Sequence, residues 1–330
     1  MRLAVIGATG MLGHHVVLAA LGEGHDLRVV HRAGSKLDRI ADLEFEAAVG
    51  DLDDPASLVE ALSGADAVVH AAAYYPRDAA PWSTHRDRAR KEMTGFLEAC
   101  AKARVGRIVY VGGSIVLRRP ADGSLGREDS DWGDGPPPQR NGYIQAKWIM
   151  DRLAREAAAD GLPVMIGIPA MTFGEYDFGP TTGRIITEVA NRTIPAYVDG
   201  SRNVIYAGDA GRGLLAVLAR GRVGERYLLT GENTTMSRVV AAVARLAEIP
   251  PPRKVPLPVA RWLARFQALR HKLGGRPPKL DDTALAVMAG GQHLSGAKAR
   301  DELGFEAALG LEQILARTFE WFVKSGYIRR

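Results

Sequence analysis

The sequence predicts an α/β chain built on a doubly wound parallel sheet, with a smaller C-terminal lobe. Two observations carry this expectation. Through the first half of the chain, apolar runs of strand length alternate with runs of helical period. The first strand, starting at Arg2, also ends directly in Gly7, Gly10 and Gly13, and a helical pattern of Met11, Leu12, Val16, Val17, Ala20 and Leu21 opens there.

The later elements follow the same rhythm. Strands are expected over 27–31, 43–49, 66–70, 107–111 and 163–168, and helices near 11–22, 55–63, 85–104 and 141–160. Asp54 and Pro55 form an N-cap and first-turn pair, and Gly64 is a stop signal. After about residue 170 proline and glycine clusters break the rhythm, with helices near 236–247, 258–273, 296–303 and 309–325. The expected division is a nucleotide-binding unit over 1–170 and a mainly substrate-binding lobe over 171–330, with a strand near 203–206 returning to the sheet.

Composition narrows the class. At 330 residues, 46% apolar and 25% charged, the chain can bury a large core in one big domain or two intimate ones. No run is long enough to span a bilayer and residues 2–6 already form a strand, so a cytoplasmic location is expected. The single cysteine, Cys100, rules out an internal disulfide and reads as a core residue. There is no metal-ligand cluster, and His14 and His15, adjacent on a helix, read as solvated. A net charge of +5 spread along the chain, without a nucleic-acid motif, favours small anionic molecules over nucleic acid.

The glycines suggest what such a molecule is. Gly7 and Gly10 permit a tight turn and let main-chain N–H groups approach phosphate, and Gly13 lets the helix pack close to the sheet, which together predict a dinucleotide cradle. The spacing is G-x-x-G-x-x-G, and turn geometry alone is the competing explanation. At the end of the second strand an acid would bind the ribose of NAD. The position holds Arg32, with Lys36 nearby, so NADP is favoured over NAD unless this is only a solvated basic loop. Asp51 can accept from an adenine amino group or merely cap a turn, and Ala71, Ala72 and Ala73 can let backbone pass beneath a cofactor or simply pack.

The chemistry is expected in Tyr143-Ile144-Gln145-Ala146-Lys147. Four residues apart on a helix, the phenol and the ammonium share a face, and the cation is expected to draw the tyrosine pKa down from about 10 toward neutrality. Tyr143 can then exchange a proton with a substrate oxygen while hydride moves to or from nicotinamide.

With these motifs the chain resembles the extended short-chain dehydrogenase/reductases, the Rossmann-fold group of NAD(P)-dependent epimerase/dehydratases, nucleotide-sugar epimerases and dihydroflavonol-reductase-like enzymes. The likeness covers nearly the whole chain. Besides the glycine run it rests on Gly50-Asp51-Leu52, His70-Ala71-Ala72-Ala73, Tyr143 with Lys147, Ile168-Pro169 before Phe173-Gly174, Ala207-Gly208-Asp209-Ala210, and Ser295 to Arg300 with Leu303-Gly304-Phe305. The stretches Thr182 to Ile186 and Pro195 to Asp199 are most similar to hopanoid-associated sugar epimerases. The resemblance implies that Thr9, Gly10, Met11 and Leu12 contact the pyrophosphate, and that Asp51 and Leu52 meet the adenine. It further implies that Pro169, Met171 and Thr172 edge the nicotinamide, and that Lys147 also holds ribose hydroxyls.

Two departures from the family pattern stand out. The chain reads Tyr110-Val111-Gly112-Gly113-Ser114 where the family places its catalytic serine at the position of Gly113, so Ser114 comes one residue late and is the catalytic hydroxyl candidate only if the paired glycines bend the chain to turn it toward the substrate. The asparagine of the family's fourth helix falls at Ala89. Tyr74 and Tyr75 are alternative hydroxyl donors, or packing aromatics. For substrate, Tyr75, Ser114, Phe173 and Arg184 are the candidates, Arg184 as an anion holder or a solvated arginine. A basic amphipathic helix near 258–273 suits either packing within the lobe or a membrane surface. A homodimer follows only from family habit. The predicted activity is an NADP-dependent oxidoreductase or epimerase acting on a hydroxyl or carbonyl carbon of a sugar, a nucleotide sugar or a related small molecule. The alternative is an NADP-binding sensor that has lost part of its active site.

Overall fold

The computed structural model describes residues 1–72, 74–76, 78, 80–133, 135–272 and 290–329. Its centre is a seven-stranded sheet formed by β1 (Arg2–Ile6), β2 (Asp26–His31), β3 (Glu46–Val49), β4 (Ala67–His70), β5 (Arg107–Val111), β6 (Val164–Pro169) and β10 (Arg226–Leu229). The spatial order is β10-β6-β5-β4-β1-β2-β3, and every pairing is parallel. Such a sheet has both faces covered by crossover helices, here α1 (Met11–Gly22), α2 (Pro55–Leu62), α3 (Trp82–Lys102), α4 (Gly142–Ala159) and α6 (Ala207–Arg220). The order reverses between β1 and β4. In doubly wound sheets that reversal opens the ligand crevice at the carboxyl ends of the strands.

Local chemistry sets the helix starts that matter most. Asp54 caps α2 by accepting from the N–H of Ala56 at 3.2 Å, with Pro55 in the first turn as expected. Asn141 caps α4 through the N–H groups of Tyr143 and Ile144 at 3.0 and 3.1 Å, which fixes Tyr143 in the first turn of that helix.

The strand near 203–206 does not return to the large sheet. It is part of β9 (Ser201–Tyr206), which lies between β7 (Met171–Phe173) and β11 (Glu232–Thr235) in a separate three-stranded sheet. The seventh strand is β10 instead. Its first residue, Arg226, is buried against Asp151 and Asp131, and this charge compensation across the fold masks a strand in the local pattern. A short pair, β8 (Ala196–Val198) with β12 (Arg253–Val255), completes the strands among the described residues.

Two apolar cores result. The larger surrounds the seven-stranded sheet and takes in Leu214 and Leu218 of α6 and Leu303 of α9 (Ala297–Leu303), so packing crosses the division expected at residue 170. The smaller joins β7, β9, α5 (Arg184–Ala190), α7 (Met236–Leu246) and α10 (Leu311–Lys324) around Phe173, Val240 and Phe322. The helix α8 (Leu257–Lys272) belongs to the same half of the chain. Cys100 is buried in the large core, as expected.

His14 and His15 depart from expectation, because both are buried. The second lobe covers this face of α1. His14 stacks on Tyr176 with ring centroids 3.6 Å apart, and His15 approaches Glu175 at 3.7 Å. Burial pushes both imidazoles down to about 4, so they are neutral at pH 7.

Candidate active site

A cleft of about 440 Å³ opens at the switch point, lined by the Gly7-to-Gly10 turn, Arg32 and Ser35 after β2, Gly50 to Asp53 after β3, Ala71 and Ala72 after β4, and Tyr74, Tyr75, Asp78, Arg88 and Glu92. Each glycine in the turn has its own reason. Gly7 has φ +94°, and a Cβ there would fall 2.8 Å from the nitrogen of Ala72. At Gly13 a Cβ would lie 2.1 Å from the Gly7 carbonyl oxygen, so only glycine lets α1 sit this close to the turn. At Gly10 a Cβ would make an ordinary 3.5 Å contact inside the protein, and the bare backbone faces the cleft.

The N–H of Gly10 is spent on the Gly7 carbonyl at 3.0 Å, and no side chain caps α1. The first-turn N–H groups at Met11 and Leu12 therefore lack intrahelical acceptors, the arrangement that suits a phosphate. These features fit a dinucleotide. Met11, Leu12 and Lys36 do not themselves line the cleft, and Ala73 lies outside the described residues. Asp51 both lines the cleft and caps a turn, its Oδ1 accepting from the N–H of Asp53 at 3.1 Å.

Tyr143 and Lys147 occupy successive turns of α4. The Tyr143 ring lies 5.1 Å from that of Tyr75, which lines the cleft. Lys147 is only 8% exposed and makes no hydrogen bond or ion pair with any described residue, so its buried ammonium has capacity left for a ligand hydroxyl. The expected fall in the tyrosine pKa is absent. Burial, then Tyr75, pushes the phenol up to about 12, and burial pushes the lysine down to about 8. In a dry site each group loses solvation of its charged form, and this outweighs their mutual attraction.

The loop after β5 reaches the same place. At Gly113 the backbone is extended (φ −149°, ψ 134°), and a Cβ would lie 3.8 Å from the stem of Lys147, an ordinary contact. Nothing in the packing demands glycine there. Ser114 opens a single 3-10 turn and does not line the cleft. Ala89 is fully buried in α3. One turn earlier stands His85, buried against the start of α4, with its Nδ1 2.7 Å from the Tyr74 hydroxyl and its Nε2 3.6 Å from Asp78. Arg88 holds the other Asp78 oxygen at 2.7 Å.

His85, Asp78, Arg88 and Glu92 escaped the sequence reading. The local signal was the polar face of the helix expected near 85–104, with Asp78 on the loop before it.

The remaining candidates lie apart. Pro169 ends β6 and Met171 and Thr172 open β7, none of them lining the cleft, and the Thr172 hydroxyl donates to the Ala170 carbonyl at 2.9 Å. Phe173 is fully buried in the second core, clustered with side chains of α5, α7 and α10. Arg184 is exposed and pairs with Glu188 at 2.8 Å on its own helix.

Comparison with known proteins gives this architecture a family. Residues 3–230 match the model of the NAD dependent epimerase/dehydratase family. The chain is 42% identical in sequence to a solved nucleoside-diphosphate-sugar epimerase from Pseudomonas aeruginosa, with a TM-score of 0.86 over 100% of this chain and 99% of the other. It is 30% identical to a putative dihydroflavonol 4-reductase from Synechocystis over 98% of this chain and 95% of the relative. It shares its fold with a dTDP-glucose 4,6-dehydratase from Streptomyces venezuelae, at a TM-score of 0.77 and 24% identity over 98% of this chain and 97% of that one. The protein belongs to the NAD-dependent epimerase/dehydratase family and has the extended short-chain dehydrogenase/reductase fold.

Proposed function

We propose that the protein is an NADP-dependent oxidoreductase or epimerase that acts by hydride transfer on a hydroxyl or carbonyl carbon of a sugar, most simply the sugar of a nucleotide sugar. One observation carries the reading: a phenol and a buried ammonium with no ion-pair partner among the described residues stand one helical turn apart beside a glycine-lined cleft. The nicotinamide, when bound, supplies or accepts the hydride. Tyr143 exchanges the proton with the substrate oxygen, and Lys147 binds ribose hydroxyls and stabilises the phenolate when it forms. The sugar substrate class is supported by the 42% identical solved epimerase from Pseudomonas aeruginosa.

Tyr143→Phe keeps the ring and removes the proton. Turnover of the active substrate falls by about 10³, while cofactor affinity is unchanged. A variant that keeps turnover removes Tyr143 from the mechanism.

The choice of NADP rests on Arg32, exposed at the rim of the cleft after β2 where a ribose 2′-phosphate sits in such folds. Fluorescence titration of cofactor-stripped protein is expected to give at least about tenfold tighter binding of NADPH than of NADH, and Arg32→Ala removes the difference. Equal affinities in the unmodified protein return the choice to NAD. Cofactor retained through purification marks an epimerase, in which hydride returns to the same substrate, whereas net NADPH consumption marks a reductase.

The second reading is a cofactor-binding sensor, favoured by the missing hydroxyl at Gly113 and the missing amide at Ala89. Substrate turnover that depends on Tyr143 excludes it.

A further inference from the structure

The helix α8 is inside out for a helix packed in a lobe. A surface helix normally turns its large apolar residues inward. Here the small residues Ala260 and Ala264 are buried, whereas Val259, Trp262, Leu263 and Phe266, spaced to share one face, are 43%, 64%, 37% and 48% exposed. The Trp262 and Phe266 rings stack on each other at 5.8 Å, forming an aromatic ridge.

Charge accompanies the ridge. Between Glu248 and Asp281 there is no acidic residue, and eight lysines and arginines fall in that stretch, although the whole chain carries only +5. The rest of the chain is therefore net acidic, so the basic character is local. Lys254 pairs with Asp199 at 3.5 Å. Arg253, Arg261, Arg265 and Arg270 pair with no acid among the described residues.

We propose that α8 is an interfacial anchor that seats the protein on an anionic lipid bilayer, with Trp262 and Phe266 in the headgroup boundary and the flanking arginines on lipid phosphates. A protein partner of ordinary composition has no need of so acid-free a helix, whereas an anionic membrane complements both its charge and its aromatic ridge. Among the described residues no helix is long and apolar enough to cross a membrane, so the contact is peripheral. This inference does not depend on the proposed reaction.

The test is co-sedimentation of the full chain with phosphatidylcholine vesicles, with and without phosphatidylglycerol. Binding is expected to be about tenfold stronger to the anionic vesicles and to weaken with salt. Arg261→Gln/Arg265→Gln should reduce it to the level of the neutral vesicles. Trp262→Ser/Phe266→Ser should abolish it while leaving the thermal midpoint and NADPH affinity unchanged. Should that variant not fold, quenching of the unmodified protein's tryptophan fluorescence by brominated lipid reports the same insertion. Equal binding to both vesicle types, or none, overturns the proposal. So does conversion of a dimer to a monomer by Trp262→Ser/Phe266→Ser, which would make a second copy the occupant. A lipid-free protein whose tryptophans acrylamide does not reach overturns it too, since the chain itself would then cover the ridge.

Discussion

Gly113 stands where the family resemblance implies a catalytic hydroxyl, and its surroundings leave room for one. Its backbone is extended and the nearest atoms to an added Cβ lie 3.8 Å away on the flexible stem of Lys147. Gly113→Ser should fold normally and place a hydroxyl beside the stem of Lys147. If the site lacks one oriented donor, turnover rises by about 10- to 100-fold, within the range such donors contribute. No change, with the thermal midpoint retained, means that another group, such as Tyr74 backed by His85, already fills the role. Lys147 allows a pH test. Its ammonium is held down to about 8 against an ordinary 10.5. Between those values the unfolded chain keeps a proton that the folded chain has released, so stability rises with pH across that window, by at most about 3 kcal/mol. Urea unfolding from pH 7 to 10 should show this rise, and Lys147→Met should flatten it. A rise of equal size in the variant assigns it to other groups.

Among the elements, β10 was the hardest to read. Four residues beginning with an arginine give no strand signal, yet Arg226 sits on the buried edge of the sheet because Asp151 of α4 and Asp131 receive its guanidinium. Arg226→Met leaves the Asp151 carboxylate buried and unpaired and should cost about 3–5 kcal/mol in urea unfolding. Adding Asp151→Leu should recover most of that loss, because two apolar residues can fill the space without a stranded charge. If the double variant is no better than the single, the pair is not what docks β10. The α6 helix also escaped local reading. Gly208, Gly211 and Gly213 weaken its pattern, but a Cβ at Gly211 would lie 2.6 Å from the His15 carbonyl. These glycines thus include one that permits close packing of α6 on α1, a fact of the partner helix.

At the scale of the whole molecule, the sequence by itself determined the parallel sheet, its crossover helices, the glycine turn at residue 7, and the pairing of Tyr143 with Lys147 on one helix face. Each of these is a periodicity or a spacing within about twenty residues, so local physics is enough to write it. Tertiary structure alone decided the rest. It decided that β9 leaves the large sheet and β10 joins it, that Phe173 is core, that His14 and His15 are sealed beneath the second lobe, and that Trp262 and Phe266 face outward. It also set the direction of the Tyr143 and Lys147 pKa changes. Burial and charge compensation are properties of neighbours brought together from distant parts of the chain, and no local pattern encodes which neighbour arrives.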